Sequence, residues 1–552
     1  MSGAIRMLSC SVLLLALSIA GAAGAAVGED AGVPGFDALL ESGRANLRGW
    51  RVEAAAQDAY KALESASSPG ELFAAHVLVS RVEYSRGSYT KALRHAEEAS
   101  SIGPPSLPGR GEGGFESYLQ YVRKAAVTGA KFKQESSQHF ILRYAHPKDR
   151  VLVAYALHAL ERSYEEIGRD LGVYPKERVI VEFYPTLKSF VYATGFTREE
   201  IRTIGVVGVC NFNRIMVLSP RLLPMGYPWI DTLAHEYTHY LVFVGSGNGV
   251  PVWLHEGIAK FEEKRWRENG PPAMDPLYET LLAKAIKDDD FVPIGKMHPS
   301  FGKLENAGEA QLAFAQVGSM VDFLVRRWGE GALAGLLSAT DDKGDLDTAF
   351  RNVTSLSLSE FITAWRGDLK QLGLRERIPN AAGRELEFIE DGQAQAEGSG
   401  GGSPSSLREL TGDKARGYAL LGDLLRARGR LKAAAYEYEK SSELNPASVV
   451  ISNRLASTKN ALGMYEEALA VLAPIVELYP GYFDTYLNMG QAYFKRGELV
   501  KAKDAFEAAL SINPFHPGVH RALISIYDTL GMENKAESQK RALSIVLGEE
   551  NE

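Results

Sequence analysis

Cysteine is almost absent: the 552 residues include two, Cys10 and Cys210. Cys10 lies in an amino-terminal stretch expected to be removed, which leaves Cys210 alone and excludes an internal disulfide. An exported chain of this kind has to hold its fold through its core rather than through covalent staples. In GVVGVCNF, Cys210 reads as a small buried hydrophobe rather than as a reactive thiol, and it is given no function. Clustered positive charge is missing too. Lys and Arg number 61 against 69 Asp and Glu, the net charge is −8, and no basic block stands out. No nucleic acid is therefore expected as a partner. Long apolar runs are also lacking. The Val12–Ala20 run is short for a membrane span. With Arg6 before it and the small residues Ala20–Ala26 after it, residues 1–26 are expected to be a signal peptide cut near Ala25 or Ala26. That predicts an exported protein, periplasmic or secreted, with no stable membrane span after cleavage; an uncleaved anchor is the competing reading. Cys10 precedes the apolar run, so it does not read as a lipoprotein cysteine.

What remains is ordinary globular material, 45% apolar and 24% charged, long enough for three or four domains. Its chemistry concentrates between Trp229 and Trp266. His235-Glu236-Tyr237-Thr238-His239 is an H-E-x-x-H sequence. Trp229, Ile230, Leu233, Ala234, Tyr237, Leu241 and Val242 around it keep the spacing of a helix buried on one side. Asp231 is a cap or first-turn acid, and the glycine cluster at 245–249 ends the helix. Histidines four apart leave one helix face about 6 Å apart along the axis, a separation that suits two ligands of one tetrahedral Zn²⁺. Glu236, next to the first histidine, can take a proton from metal-bound water. Pro251 opens a second helix, read as Val252 to about Arg267, whose return would bring Glu256 back toward the histidines.

Other parts of the chain read as periodic or as strands. Gly429, Gly463, Gly497 and Gly531 are 34 residues apart, and Pro446, Pro480 and Pro514 keep the same step, as do Ala434, Ala468, Ala502 and Ala536. This is tetratricopeptide arithmetic, and it places an array of about four repeats at 413–547. Gly87, Ala92 and Pro104 show the same offsets in a helical region at 36–130, read as similar repeats. HFILRY (139–144), RVIVEFY (178–184) and RIMVLSP (214–220) read as strands, with a helix from Val151 to Leu171 between the first two. RIMVLSP is either an edge strand beside the metal or an ordinary core strand. Gly392–Leu407 is compositionally a linker, placed at 390–412, and lacks the Lys-Ser/Thr of a phosphate loop.

The W-L-H-E-G-I-A segment around Glu256 resembles that of gluzincin metallopeptidases. Residues Gln138–Leu372 resemble the bacterial peptidase MA-like group, often joined to tetratricopeptide repeats. The resemblance implies an α+β zincin-like metallopeptidase core at 136–378 flanked by all-α repeat solenoids. It further implies one zinc held by His235, His239 and Glu256, with Glu236 as general base. Phe314 departs from the family, which often has a tyrosine there to steady the oxyanion. Tyr278, Tyr237, Tyr240 and His298 are the substitutes to consider, each with a structural reading beside it. Gly531-Met532-Glu533-Asn534 mimics the substrate-binding segment of zinc aminopeptidases, but its glycine belongs to the repeat series. No such segment precedes His235, which argues against an aminopeptidase.

Two functions follow. The first is an exported zinc-dependent peptidase that cuts a peptide or protein substrate and recruits protein partners through its repeats. The alternative is a non-catalytic scaffold with a structural or vestigial zinc site. Glu236 separates them, because a structural site needs no base beside its ligand.

Overall fold

The computed structural model describes residues 35–103, 113–378, 407, 410 and 412–549, apart from 212, 224–225, 248, 268–273, 299–300, 302–303 and 341–344. The expected signal peptide and almost all of the expected linker lie outside the described residues.

Five helices come first: α1 (Phe36–Arg48), α2 (Val52–Ser65), α3 (Pro69–Ser85), α4 (Tyr89–Ile102) and α5 (Gly113–Gly129). Each packs on the next. α3 starts at a reciprocal cap, with Ser68 accepting from the Glu71 N–H and Glu71 accepting from the Ser68 N–H, which satisfies two donors that a helix start leaves open. Gly87, at φ +69°, makes the turn from α3 to α4.

A five-stranded mixed sheet follows, in the order β1 (Lys133–Ser136), β2 (Phe140–Tyr144), β3 (Val179–Tyr184), β5 (Arg214–Leu218), β4 (Gly208–Asn211). β2, β3 and β5 run parallel; β1 and β4 are antiparallel edges. α6 (Leu152–Leu171) links β2 to β3 and ends at Gly172 in the left-handed conformation. α7 (Leu187–Thr194) and α8 (Arg198–Ile204) lead into the β4–β5 hairpin. Every residue of β3 and β5 is buried, as expected of strands covered on both faces. RIMVLSP is therefore an interior strand, and the edge is β4, which is too short and too small in its side chains to announce itself as a strand.

The two sheet faces do different work. Phe140 and Phe183 reach toward the helix carrying the H-E-x-x-H sequence, meeting Tyr237 and Trp229 edge-on at 5.1 and 5.9 Å. On the other face lies a buried polar network. Arg214 and Glu182, both fully buried, pair at 3.4 Å. Tyr89 of α4 donates to Glu182 and accepts from Arg214, Tyr184 donates to Glu182 at 3.0 Å, and Arg143 reaches both Glu182 and the Gly87 carbonyl. Charges removed from water need such partners. The network joins the amino-terminal helices to the sheet.

The chain continues through α9 (Trp229–Ser246), α10 (Val252–Glu262), α11 (Pro276–Asp288), α12 (Ala307–Trp328), α13 (Gly331–Ala339), α14 (Leu346–Thr354) and α15 (Leu358–Gln371). Trp365 of α15 donates to Ser319 of α12 at 3.1 Å. Four helical pairs end the described chain: α16 (Asp413–Ala427) with α17 (Leu431–Leu444), α18 (Val449–Ala461) with α19 (Tyr465–Leu478), α20 (Phe483–Lys495) with α21 (Leu499–Leu510), and α22 (Pro517–Thr529) with α23 (Glu533–Leu547). The four periodic glycines sit at these pair turns with φ between +71° and +79°, so Gly531 is a turn residue of the last pair. The array does not hang free. Phe515, Ala542 and Val546 belong to the same buried cluster as the sheet and α9, and Gln539 donates to Tyr155 of α6 at 3.0 Å.

Candidate metal centre

α9 is apolar on nearly all sides because it is central. It packs on the sheet, α6, α10 and α13. Asp231, in its first turn, accepts from the Trp266 indole at 2.9 Å and from the Arg267 guanidinium at 2.7 Å. α10 consequently ends at Glu262 rather than running to Arg267, because Trp266 and Arg267 fold back onto α9.

The return of α10 brings three groups together. His235 Nε2 lies 3.3 Å and His239 Nε2 3.5 Å from one carboxylate oxygen of Glu256. One ligand atom from each of the three residues falls within 4.8 Å of the others. The rings of His235 and His239 are perpendicular, with centroids 4.8 Å apart.

The opposite ring nitrogens are engaged as well. His235 Nδ1 is 3.3 Å from Glu263, and His239 Nδ1 is 3.3 Å from His255 Nδ1. Burial and the neighbouring His239 push His255 down to about 3, so it is neutral and can accept the His239 Nδ1–H. Glu263 accepts from His235 and from Lys260, whose Nζ reaches it at 2.8 Å. These partners hold Nδ1 as the protonated nitrogen of each ring, so that Nε2 is the atom free to face an ion held together with Glu256. His255 and Glu263 were not singled out from the sequence. Their recognisable signal was placement: one adjoins Glu256 and the other follows it by two helical turns.

The electrostatics fit a cation. Burial opposes ionisation of Glu256, but His239 and His235 outweigh it and hold the carboxyl far below its usual range. Burial likewise opposes ionisation of Glu263, and Lys260 and His235 bring it down to about 2. Burial lowers His235, but Glu256 and Glu263 outweigh it and raise it to about 9. Glu236, Glu256 and Glu263 leave an excess of acidic groups around the Lys260 ammonium. A divalent ion would balance that excess, and a donor set of two imidazoles and one carboxylate suits Zn²⁺.

Glu236 is buried between this cluster and β4. Burial raises its carboxyl; the His239 and His235 charges and the Cys210 N–H draw it back, but not fully. The strand comes this close because residue 208 is glycine. A Cβ there would stand 2.8 Å from the Glu236 side chain and 2.7 Å from Thr232. Gly257 does the same for α10, where a Cβ would meet the Val317 carbonyl of α12 at 2.7 Å.

The oxyanion candidates separate clearly. Phe314 packs on Phe301 at 4.8 Å, and Lys260 Nζ lies 5.9 Å from its ring. Tyr278 shares that ammonium at 5.2 Å, which connects it to the centre through Lys260 and Glu263. Tyr237 is fully buried against Phe140, Tyr240 is buried, and His298 is exposed. Cys210 is buried in β4, and burial raises its thiol well above the ordinary value.

Comparison with known proteins follows the same division. The Peptidase MA superfamily model matches residues 161–371, and the tetratricopeptide repeat model matches 483–516. An uncharacterized Bacillus subtilis (strain 168) protein, YhcO, is 22% identical over 283 residues, 49% of this chain and 79% of that one. The Hsp70-Hsp90 organizing protein of Triticum aestivum is 28% identical over 95 residues, 17% of this chain. The chain spans only 16% of the wheat protein's length. Among solved structures, the MamA protein is 27% identical, with 25% of this chain and 76% of that chain covered and a TM-score of 0.24. The chain thus carries a Peptidase MA superfamily domain at 161–371 and a tetratricopeptide repeat at 483–516.

Proposed function

We propose that this chain is an exported zinc-dependent peptidase of the gluzincin type, with an α+β zincin-like core. The observation that carries the reading is the convergence of His235, His239 and Glu256 beside a buried Glu236. The two Nε2 atoms and the Glu256 carboxylate would hold the ion. When bound, Zn²⁺ supplies Lewis-acid polarisation of the scissile carbonyl and lowers the pKa of water toward ~7. Glu236 accepts the proton of the attacking water and returns it to the leaving amine. Its elevated proton affinity suits both halves of that exchange. Glu263 and His255 keep the histidines in the required tautomer. The outer edge of β4, which no further strand covers among the described residues, would take an extended substrate by strand addition. The repeats would supply protein partners, and the leader pattern of the first 26 residues supports export.

Glu236→Gln tests this reading. Glutamine keeps the shape but cannot accept the proton. Peptide hydrolysis is expected to fall by ~10²–10⁴ while bound zinc stays unchanged by elemental analysis. A variant that cleaves a peptide library at the wild-type rate would refute the assignment. Wild type that binds zinc and cleaves nothing would favour the scaffold.

A further inference from the structure

A second set of metal-type donors lies outside this centre, in the amino-terminal helices. His76 of α3 faces His95 and Glu98 of α4. The two Nδ1 atoms are 3.0 Å apart. Glu98 Oε2 stands 3.1 Å from His76 Nδ1 and 3.2 Å from His95 Nδ1. The three atoms form a nearly equilateral triangle. One face of a tetrahedron around Zn²⁺, with Zn–N bonds of ~2.0–2.1 Å, has edges of about 3.3 Å. The observed triangle is that face, slightly compressed.

Surroundings and spacing point the same way. His95 and Glu98 are three apart on one helix and project together, and His76 meets them from the facing helix, the usual way in which helical pairs build metal sites. The two histidine side chains are 14% and 7% exposed, whereas Glu98 is 44% exposed, so the fourth direction opens to solvent. A proton shared between the rings would satisfy only one edge of the triangle. A divalent ion satisfies all three.

We propose that His76, His95 and Glu98 bind one borderline divalent transition-metal ion of the zinc class, with a fourth position left to solvent. The ion would fasten α3 to α4 within about three turns of Tyr89, the residue through which α4 meets the sheet. Nothing in this inference depends on the peptidase reading.

The test uses the full chain with His235→Ala and His239→Ala together, stripped with chelator and dialysed against micromolar zinc. One zinc per chain is expected to remain, against two in wild type, and adding His76→Ala should remove it. Cobalt(II) loaded into the double variant should give the visible absorption of a four-coordinate ion, lost again with Glu98→Gln. A double variant that folds and retains no zinc would overturn the proposal, as would a count unchanged by His76→Ala. If the double variant does not fold, the wild-type background decides: a count that falls by one in His76→Ala supports the site, and an unchanged count refutes it.

Discussion

Two helical glycines allow the packing argument to be tested against a built-in control. At Gly257, in the middle of α10, a new Cβ would meet the Val317 carbonyl oxygen at 2.7 Å and Val321 at 3.0 Å. The backbone oxygen cannot rotate away, so α10 must retreat by several tenths of an ångström. At Gly318, in the middle of α12, the nearest atom to a new Cβ is Lys260 Cβ at 3.4 Å, an ordinary contact. Both substitutions to alanine gain the same helix preference, about 1 kcal/mol. Only Gly257→Ala adds overpacking, which costs about 1–3 kcal/mol. Gly318→Ala should therefore match or exceed wild type in stability, and Gly257→Ala should be less stable than Gly318→Ala by about 1–3 kcal/mol. Because Glu256 precedes Gly257, the retreat also withdraws the third donor, and zinc should bind roughly ten-fold or more weakly. The assays are thermal melts of metal-free protein and zinc competition against a chromophoric chelator. The order of midpoints is the readout, since a chain of several domains need not unfold in two states. Equal midpoints and equal zinc affinity in the two variants would refute the close-crossing argument.

Further predictions address the centre and its supports. Glu263→Ala removes the acceptor of His235 and should weaken zinc binding about 10–100-fold with the far-ultraviolet dichroism unchanged; unaltered affinity would mean that Glu263 does not orient the ligand. Arg214→Met strips Tyr89 and Glu182 of their buried cation and should cost about 3–5 kcal/mol, read as a lowered denaturant midpoint; a midpoint within error of wild type would deny the network its role. Asp149, beside Ser219 and Arg221, is pushed by burial up to about 6 from 3.8, against the opposing pull of Arg221. The native state thus holds this proton to higher pH than the unfolded chain does, so its contribution to stability falls as pH rises from about 4 to about 6 and stays lost above. Asp149→Asn should gain on wild type across that window, toward about 3 kcal/mol at pH 7. A difference that stays flat from pH 4 to pH 7 in urea melts would contradict the shift.

Much of the site was legible because it is local. Four-residue spacing places His235 and His239 on one helix face whatever surrounds them. The 34-residue step of Gly429, Gly463, Gly497 and Gly531 reflects a turn repeated in every helical pair, where a left-handed backbone favours glycine. Apolar periodicity likewise located α6 and α9, and β-branched runs located β2, β3 and β5. Expectations failed where long-range contacts decided. β4 is a strand because β5 pairs with it and Gly208 lets it lie against Glu236; its four residues carry little strand signal of their own. α10 stops at Glu262 because Asp231, a full helix earlier, captures Trp266 and Arg267.

The amino-acid sequence by itself determined which donors exist and their spacing along each helix, since both follow from chain geometry. Only the tertiary structure decided which of them meet. Glu256 reaches the histidines because α10 turns back along α9, and His255 on that helix and Glu263 just past its end set their tautomers. His76 meets His95 and Glu98 because α3 and α4 cross where they do. The physical reason is common to all of these. Such contacts depend on how buried faces pack between elements, and that packing is a property of the whole core that no single stretch encodes.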